Sequence, residues 1–470
     1  MHFASLDYAI LLTAVFVLYW AFGHQLLPRL IVLLVASYTF YAWWRVAYLG
    51  LIVASSLLDY FAGRRIYESE DPRRRRMWLG VSLVGNLGML GVFKYYNFLA
   101  ISVSGALGYL GIVVEPRLLD ILLPVGISFY TFQSMSYTID IYRGDLKPED
   151  RALPFMVFVS FFPQLVAGPI VRARQFLPQL SSTPAIDSRA ATRAFVLIAL
   201  GLLKKSVIAD LLAVNLVDRV FENPTLYTSM ESLLGVYGYA AQIYCDFSAY
   251  SDIAIGSALL LGLSLPINFD HPYRAASLQD FWRRWHISLS SWLRDYLYIP
   301  LGGSRGTSWK TYRNLAITML LGGLWHGAAW TFVVWGALHG GGLAVTRAFQ
   351  RRFPGRRETW LWRSLAIVLT FHFVCLSWVF FRAKDFHHAG EVLSVIVGGT
   401  WGTANISPLL WGLLVAALAT HAIRDSWRDA LEEQLHRLPA PLLGALLVLV
   451  VLVVRAAATT DVVPFIYFQF

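Results

Sequence analysis

The residues in this chain best suited to move a proton are two histidines set in apolar surroundings. His286 closes the string Asp280-Phe-Trp-Arg-Arg-Trp-His286, and His326 lies in Leu324-Trp-His326-Gly-Ala-Ala-Trp330. A neutral imidazole, with an unperturbed pKa of about 6.5, can take a proton from a hydroxyl at ordinary pH. At about 100° per residue, the stretch after Asp280 reads as one amphipathic helix. Trp282, Trp285, His286, Leu289, Leu293 and Tyr296 share its inward face, while Arg283, Arg284, Ser288, Ser291, Arg294 and Asp295 lie opposite. Such a helix lies flat at a bilayer interface or dips into it. His286 is then either a core histidine with one satisfied hydrogen bond or a catalytic group.

His326 and His339 are the strongly polar side chains of the apolar run Leu315 to Val345. An ionisable group at membrane depth is costly and marks a site or a pathway. Gly323 and Gly327 give a small-xxx-small pattern that lets a helix or a substrate approach closely, so His326 is open to a packing reading as well. His339 follows 13 positions later, which on one straight helix turns it away from His326. No shared metal is expected from these two histidines.

Around this pair the sequence supplies further polar groups. Asp246 and Tyr250, four apart on one helical face, sit in Gln242-Ile-Tyr-Cys-Asp246-Phe-Ser-Ala-Tyr-Ser251-Asp252. A buried carboxylate needs a cation or donors, for which the arginines near Arg283 and Arg294 or a histidine are candidates. A structural ion pair between helices is the competing reading. Pro163-Gln-Leu-Val-Ala-Gly-Pro169 breaks a helix, as if at the membrane surface, just before Arg172 and Arg174. Leu301-Gly-Gly-Ser-Arg305-Gly-Thr is a glycine-rich turn followed by Lys310 and Arg313, a weak phosphate-binding signal. Pro266 to Arg274 is too proline-rich for a helix and leads into the His286 segment.

The elements that must position these groups are membrane elements. Of 470 residues, 57% are hydrophobic and 14% charged, against about 25% charged in soluble domains. Apolar runs reach the ~20 residues needed to cross a hydrocarbon core. The fold class is therefore all-α, a polytopic integral membrane protein with about ten to twelve crossings plus interfacial and re-entrant helices. The expected organisation is a single membrane domain over 1–470: peripheral helices in 1–150, the core in 151–345 and C-terminal helices in 346–470. The net charge of +10 is explained by arginine-rich loops that set orientation, without nucleic acid. Arg64 to Arg76 and Arg347 to Arg363 are then cytoplasmic, and three spans before the first of these put the N-terminus outside. The first apolar run, from Tyr8, reads as a retained span rather than a signal peptide. Cys245 and Cys375 support neither a disulfide framework nor a cysteine metal site.

Five strings resemble the membrane-bound O-acyltransferase family, and more narrowly its bacterial alginate and exopolysaccharide O-acetylation branch. They are Phe162-Pro-Gln-Leu-Val-Ala-Gly-Pro-Ile170, Tyr244-Cys-Asp-Phe-Ser-Ala-Tyr-Ser-Asp252, Asp280-Phe-Trp-Arg-Arg-Trp-His-Ile-Ser-Leu-Ser290, Arg294-Asp-Tyr-Leu-Tyr-Ile-Pro-Leu-Gly-Gly303 and Leu324-Trp-His-Gly-Ala-Ala-Trp330. The ending Pro464-Phe-Ile-Tyr-Phe-Gln-Phe470 is similar too. Ala249 stands where the branch usually has glycine. The resemblance implies a fold built around a central funnel and an enzyme of the bacterial inner membrane. Acetyl-CoA would be the cytoplasmic donor substrate, with no bound cofactor or metal. Partners would be periplasmic acetyl-acceptor or acetyltransferase proteins of a polysaccharide-modification complex. It implies catalytic roles for His326 and His286, with Asp246, Tyr250 and Trp325 in support. Arg172, Arg174, Arg283, Arg284, Lys310 and Arg313 are a candidate rim for the CoA phosphates. The competing class is a non-enzymatic transporter or scaffold, because proton-coupled carriers also use intramembrane histidines and aspartates.

Overall fold

The computed structural model describes residues 2–353, 359–457 and 465–466. Among them every regular element is helical, as lipid requires: each backbone group must find its partner within its own segment. Local chemistry sets the helix starts. Ser5 accepts from the Tyr8 amide at 3.2 Å to begin α1 (Leu6–Ala21), and α2 (Leu26–Ala42) and α3 (Leu49–Glu68) follow. Asp71 caps α4 (Pro72–Leu90), with Pro72 in the first turn, where a missing N–H costs nothing.

Four helical stretches have the length and apolarity to cross a bilayer: Val46–Glu68, Pro72–Tyr109, Trp360–Arg382 and Ala440–Ala457. Shorter apolar helices accompany them, α1 and α2 included. Leu6, Val84 and Val448 stand exposed on these helices, an arrangement suited to a hydrocarbon solvent.

The chain packs as two compact units. The first comprises Met1–Ala194 with Ala254–Pro266. Its centre includes α3, α4, α5 (Ile127–Arg143) and α6 (Ala152–Ser160). α5 is buried almost all round, including Ser134, Ser136 and Thr138, whose hydroxyls donate to carbonyls of their own helix, those of Thr131, Gln133 and Met135. The proline-glycine break after α6 is wholly buried within the protein from Phe161 to Ile170. A Cβ on Gly168 would meet Gln164 Cα at 2.4 Å, so the turn closes on itself without needing water.

The second unit comprises Phe195–Ile253 with Ile267–Phe470. It takes most of α7 (Ser229–Leu260), then α8 (Leu278–Arg284), α9 (Ile287–Leu293), α10 (Ser308–His326), α11 (Trp330–Arg352) and α12 (Trp360–Arg382). The apolar run Leu315 to Val345, read above as one stretch, is a hairpin of α10 and α11 that turns at Gly327 to Ala329. Glycines set its closeness. A Cβ on Gly323 would lie 2.2 Å from the Phe332 carbonyl oxygen, and one on Gly336 2.4 Å from that of Met319. The basic stretch Arg347 to Arg363 is the end of α11 and the start of α12, with residues 354–358 outside the described residues.

Candidate active site

The helix expected through His286 is broken at that residue. Ser277 caps α8 by accepting from the Asp280 amide at 3.2 Å, and the Asp280 carboxylate reaches back to accept from the amide of Ala276, just before the cap, at 3.3 Å. α8 ends after Arg284, His286 adopts φ 44°, ψ 55°, and α9 begins at Ile287. A left-handed conformation is strained for a residue with a Cβ. It is held by the extended segment 268–270: the Asp270 amide donates to the Arg284 carbonyl and the Ile287 amide to the Asn268 carbonyl, both at 2.9 Å. Of the expected inward residues Trp285, His286, Leu289 and Leu293 are buried and Trp282 and Tyr296 half-buried, but Ser288, expected on the outer face, is buried as well because the break turns it towards Asn268.

Asn268 decides which nitrogen of His286 carries the proton. Its Oδ1 accepts from the Ser288 amide at 3.2 Å and the Ser288 hydroxyl at 3.0 Å, which identifies that atom as the oxygen. His286 Nδ1 lies 3.2 Å from the same oxygen and must therefore be the donor. Burial pushes the His286 imidazole down to about 3, so the ring is neutral and its lone pair is at Nε2. Phe247 meets this ring edge to face at a centroid distance of 4.6 Å.

His326 is the last residue of α10. Its ring is walled by Trp325, Trp335 and Phe381 at centroid distances of 5.1, 5.0 and 5.2 Å. Trp325 also contacts His286 at 5.9 Å, so one indole touches both imidazoles. The hairpin brings His339 to the same cluster, 4.6 Å from Trp335, which corrects the expectation that His339 points away. His339 Nδ1 accepts from Trp282 Nε1 at 3.3 Å, and its Nε2 stands 3.0 Å from Ser377 Oγ. The Ser377 hydroxyl donates to the Val374 carbonyl at 2.7 Å, so the neutral ring donates from Nε2. His339 is thus a fixed tie between α8, α11 and α12.

Asp246 meets neither an arginine nor a histidine, as was expected, but Lys205. That ammonium lies 3.0 Å from Asp246 and 2.8 Å from Asp210, and the Ile466 amide donates to Asp246 at 2.8 Å. Phe465 packs against Tyr250 at 4.5 Å. Residues 464 and 467–470 of the C-terminal string lie outside the described residues. Of the suggested cationic rim, Arg172 (buried) and Arg174 (exposed) belong to the first unit. Arg284 is tied to Asp280 at 2.8 Å and Asp270 at 3.2 Å. Arg313 bonds Asn314 at 3.0 Å, and Arg283 and Lys310 are exposed. A cleft of about 1280 Å³ includes Gln279, Arg283, Leu338, Gly342 and Phe373 in its wall but neither His286 nor His326. No role was read from sequence for Asn268, Lys205 or Phe381, while Trp335 was singled out only as the start of the string that ends in His339-Gly340. The one available signal was a lone asparagine between Pro266 and Pro272.

Residues 151–383 match the model of MBOAT, the membrane-bound O-acyltransferase family. The chain is 42% identical over 449 residues to the probable alginate O-acetylase AlgI of Pseudomonas aeruginosa, covering 92% of this chain and 83% of that protein. It is 38% identical over 403 residues to the peptidoglycan O-acetyltransferase of Helicobacter pylori, covering 80% and 75%. It is 30% identical over 285 residues to the teichoic acid D-alanyltransferase of Bacillus subtilis, covering 56% and 70%.

Proposed function

We propose, from the premise that this chain belongs to the membrane-bound O-acyltransferase family, that it draws acetyl groups from cytoplasmic acetyl-CoA and passes them to a periplasmic acceptor for exopolysaccharide O-acetylation. The chain is a multi-pass membrane protein and an O-acyltransferase. The finer reading places it in the bacterial inner membrane with its N-terminus periplasmic, working with acceptor proteins of a polysaccharide-modification complex.

The observation that carries the assignment of the site is the shared indole: Trp325 contacts both His286 and His326 within one ring-lined cluster. In the proposed step the acceptor hydroxyl oxygen attacks the thioester carbonyl carbon while His326 takes the hydroxyl proton. The tetrahedral intermediate collapses, the C–S bond breaks, and the leaving thiolate recovers that proton from the imidazolium. The new bond is an ester, so no redox partner is needed. His286, neutral and with Nδ1–H spent on Asn268, offers a lone pair at Nε2. That favours holding the acceptor hydroxyl over donating to an oxyanion. Asp246 and Tyr250 support the site indirectly: Asp246 is held by Lys205 and precedes Phe247, which packs on His286. Arg283 and Lys310 are exposed cations suited to the CoA phosphates.

The test is transfer from acetyl-CoA by purified protein supplied with its acceptor. Release of free thiol together with acceptor-bound acetate is expected. An intact thioester in the presence of a competent acceptor would overturn acetyl-CoA as the donor.

A further inference from the structure

The first unit holds a carboxylate that the proposed chemistry does not use. Asp59, on α3 within the candidate span Val46–Glu68, is completely buried, as are Ser55, Ser82, Asn86, Ser134 and Thr138 around it. No described residue forms an ion pair with it. Its nearest polar contacts are the Ser82 hydroxyl at 2.5 Å from Oδ1 and the Asn86 amide nitrogen, which donates to Oδ2 at 2.8 Å, with the Ser134 hydroxyl beside them. Other ionisable side chains of these three helices are engaged elsewhere. Arg64 lies on Tyr60 and Glu68, Arg65 on Glu68, Arg74 on Asp71, Arg75 on the Tyr142 carbonyl, and the Tyr137 hydroxyl accepts from the Glu149 amide. Asp140 is also buried on α5.

Counting hydrogens gives the protonation state. Three contacts run in a row: Asp59 Oδ1 to Ser82 Oγ at 2.5 Å, Ser82 Oγ to Thr138 Oγ1 at 2.8 Å, and Thr138 Oγ1 to the Met135 carbonyl at 3.0 Å. Each hydrogen bond needs its own hydrogen. The two hydroxyls supply one each and the carbonyl none. Asn86 has none to lend, because its amide hydrogens go to Asp59 Oδ2 and the Ser82 carbonyl at 3.0 Å, while its oxygen accepts from Ser55 at 2.8 Å.

We infer that Asp59 supplies the third hydrogen: the side-chain cluster of α3, α4 and α5 is a proton-binding site, occupied in the resting protein. Oδ1–H then donates to Ser82, Ser82 to Thr138 and Thr138 to Met135, while Oδ2 accepts from Asn86. The bound proton joins three helices and leaves no net charge at membrane depth, where an ionised carboxylate without a counter-ion is expensive. An ionised Asp59 would leave one of the three contacts without a hydrogen.

Infrared spectroscopy of the purified full-length protein in lipid tests this. At neutral pH the wild type is expected to show a protonated carboxylic-acid carbonyl band that is absent from Asp59→Asn. That variant replaces O–H by N–H toward Ser82, so it should retain the wild-type melting temperature to within a few degrees. Should Asp59→Asn not accumulate, Ser82→Ala serves instead: it removes the acceptor of the acid proton, so the band must move. Absence of an Asp59-dependent acid band, or a band unmoved in Ser82→Ala, overturns the inference. Loss of the band when sodium replaces potassium at constant pH would make the resident ion sodium and overturn it equally.

Discussion

In the first unit Asp59 is met by a hydroxyl and an amide at 2.5 and 2.8 Å, whereas in the second unit His326 is walled by three aromatic rings at 5.0 to 5.2 Å. Both polar groups are buried within apolar helices. Donors that approach to hydrogen-bond distance fix one protonation state and one geometry, which suits a group that holds helices together. Aromatic walls exclude water instead, and the low local dielectric strengthens any charge that develops beside the ring. The first arrangement suits the proposed bound proton, and the second suits the proposed general base.

The contrast sharpens if removing a charge damages the second unit and spares the first. Lys205→Met leaves Asp246 and Asp210 facing each other without their cation, and about 3–5 kcal/mol of stability should be lost. Thermal unfolding of detergent-purified protein measures it, and Asp246→Asn in the same background should recover part of the loss. A melting temperature unchanged in Lys205→Met would show that this network does not hold the second unit.

Next in size is the hairpin that carries His326. Gly323→Ala drives a Cβ toward the Phe332 carbonyl oxygen and should cost at least about 1–3 kcal/mol. Gly341→Ala, on α11 with nothing within 4 Å, is the control and should express like wild type. Equal yields from the two variants would mean that close backbone approach does not set the position of His326.

An effect of similar size is expected from Asn268→Ala, which takes the acceptor from His286 Nδ1 and from Ser288. Each buried donor left unmet costs about 1–3 kcal/mol, and kcat should fall more than KM rises, because the ring loses its set tautomer. A change confined to KM would argue that His286 only shapes the donor's site.

Acid sensitivity comes last because it is felt only below neutral pH. Free His286 takes a proton below about 6.5, but the buried ring does so only near 3. Its contribution to stability is therefore complete above pH 6.5 and declines as pH falls toward 3. His286→Gln should flatten that decline, whereas the Asp59 cluster, protonated in the folded protein while the free carboxyl ionises above about 4, works against it between neutral pH and about 4. A melting profile of the same slope in wild type and His286→Gln would remove His286 as the acid-sensitive group.

Much of this was legible in the residues themselves. Composition and apolar runs indicated an all-helical membrane protein, and the two histidine strings identified the family that the comparisons then matched. Three features escaped for physical reasons. Periodicity assumes a continuous helix, so it could not foresee the left-handed turn at His286, which is imposed by backbone bonds from 268–270 far outside the helical window. The same assumption turned His339 away from His326, whereas the chain folds back at Gly327 and both rings meet Trp335. Lys205 was invisible as the partner of Asp246 because forty residues separate them and no local pattern links the two.

The central claim is that acetyl transfer runs through His326. The direct measurement is polymer-bound acetate in cells carrying wild type or His326→Ala at matched membrane levels, followed by transfer rates with the purified proteins. A fall of about 10²–10⁴ in rate with an unchanged melting temperature is expected for loss of a general base. Rates within a few-fold of wild type would contradict the account and move the proton transfer to another group.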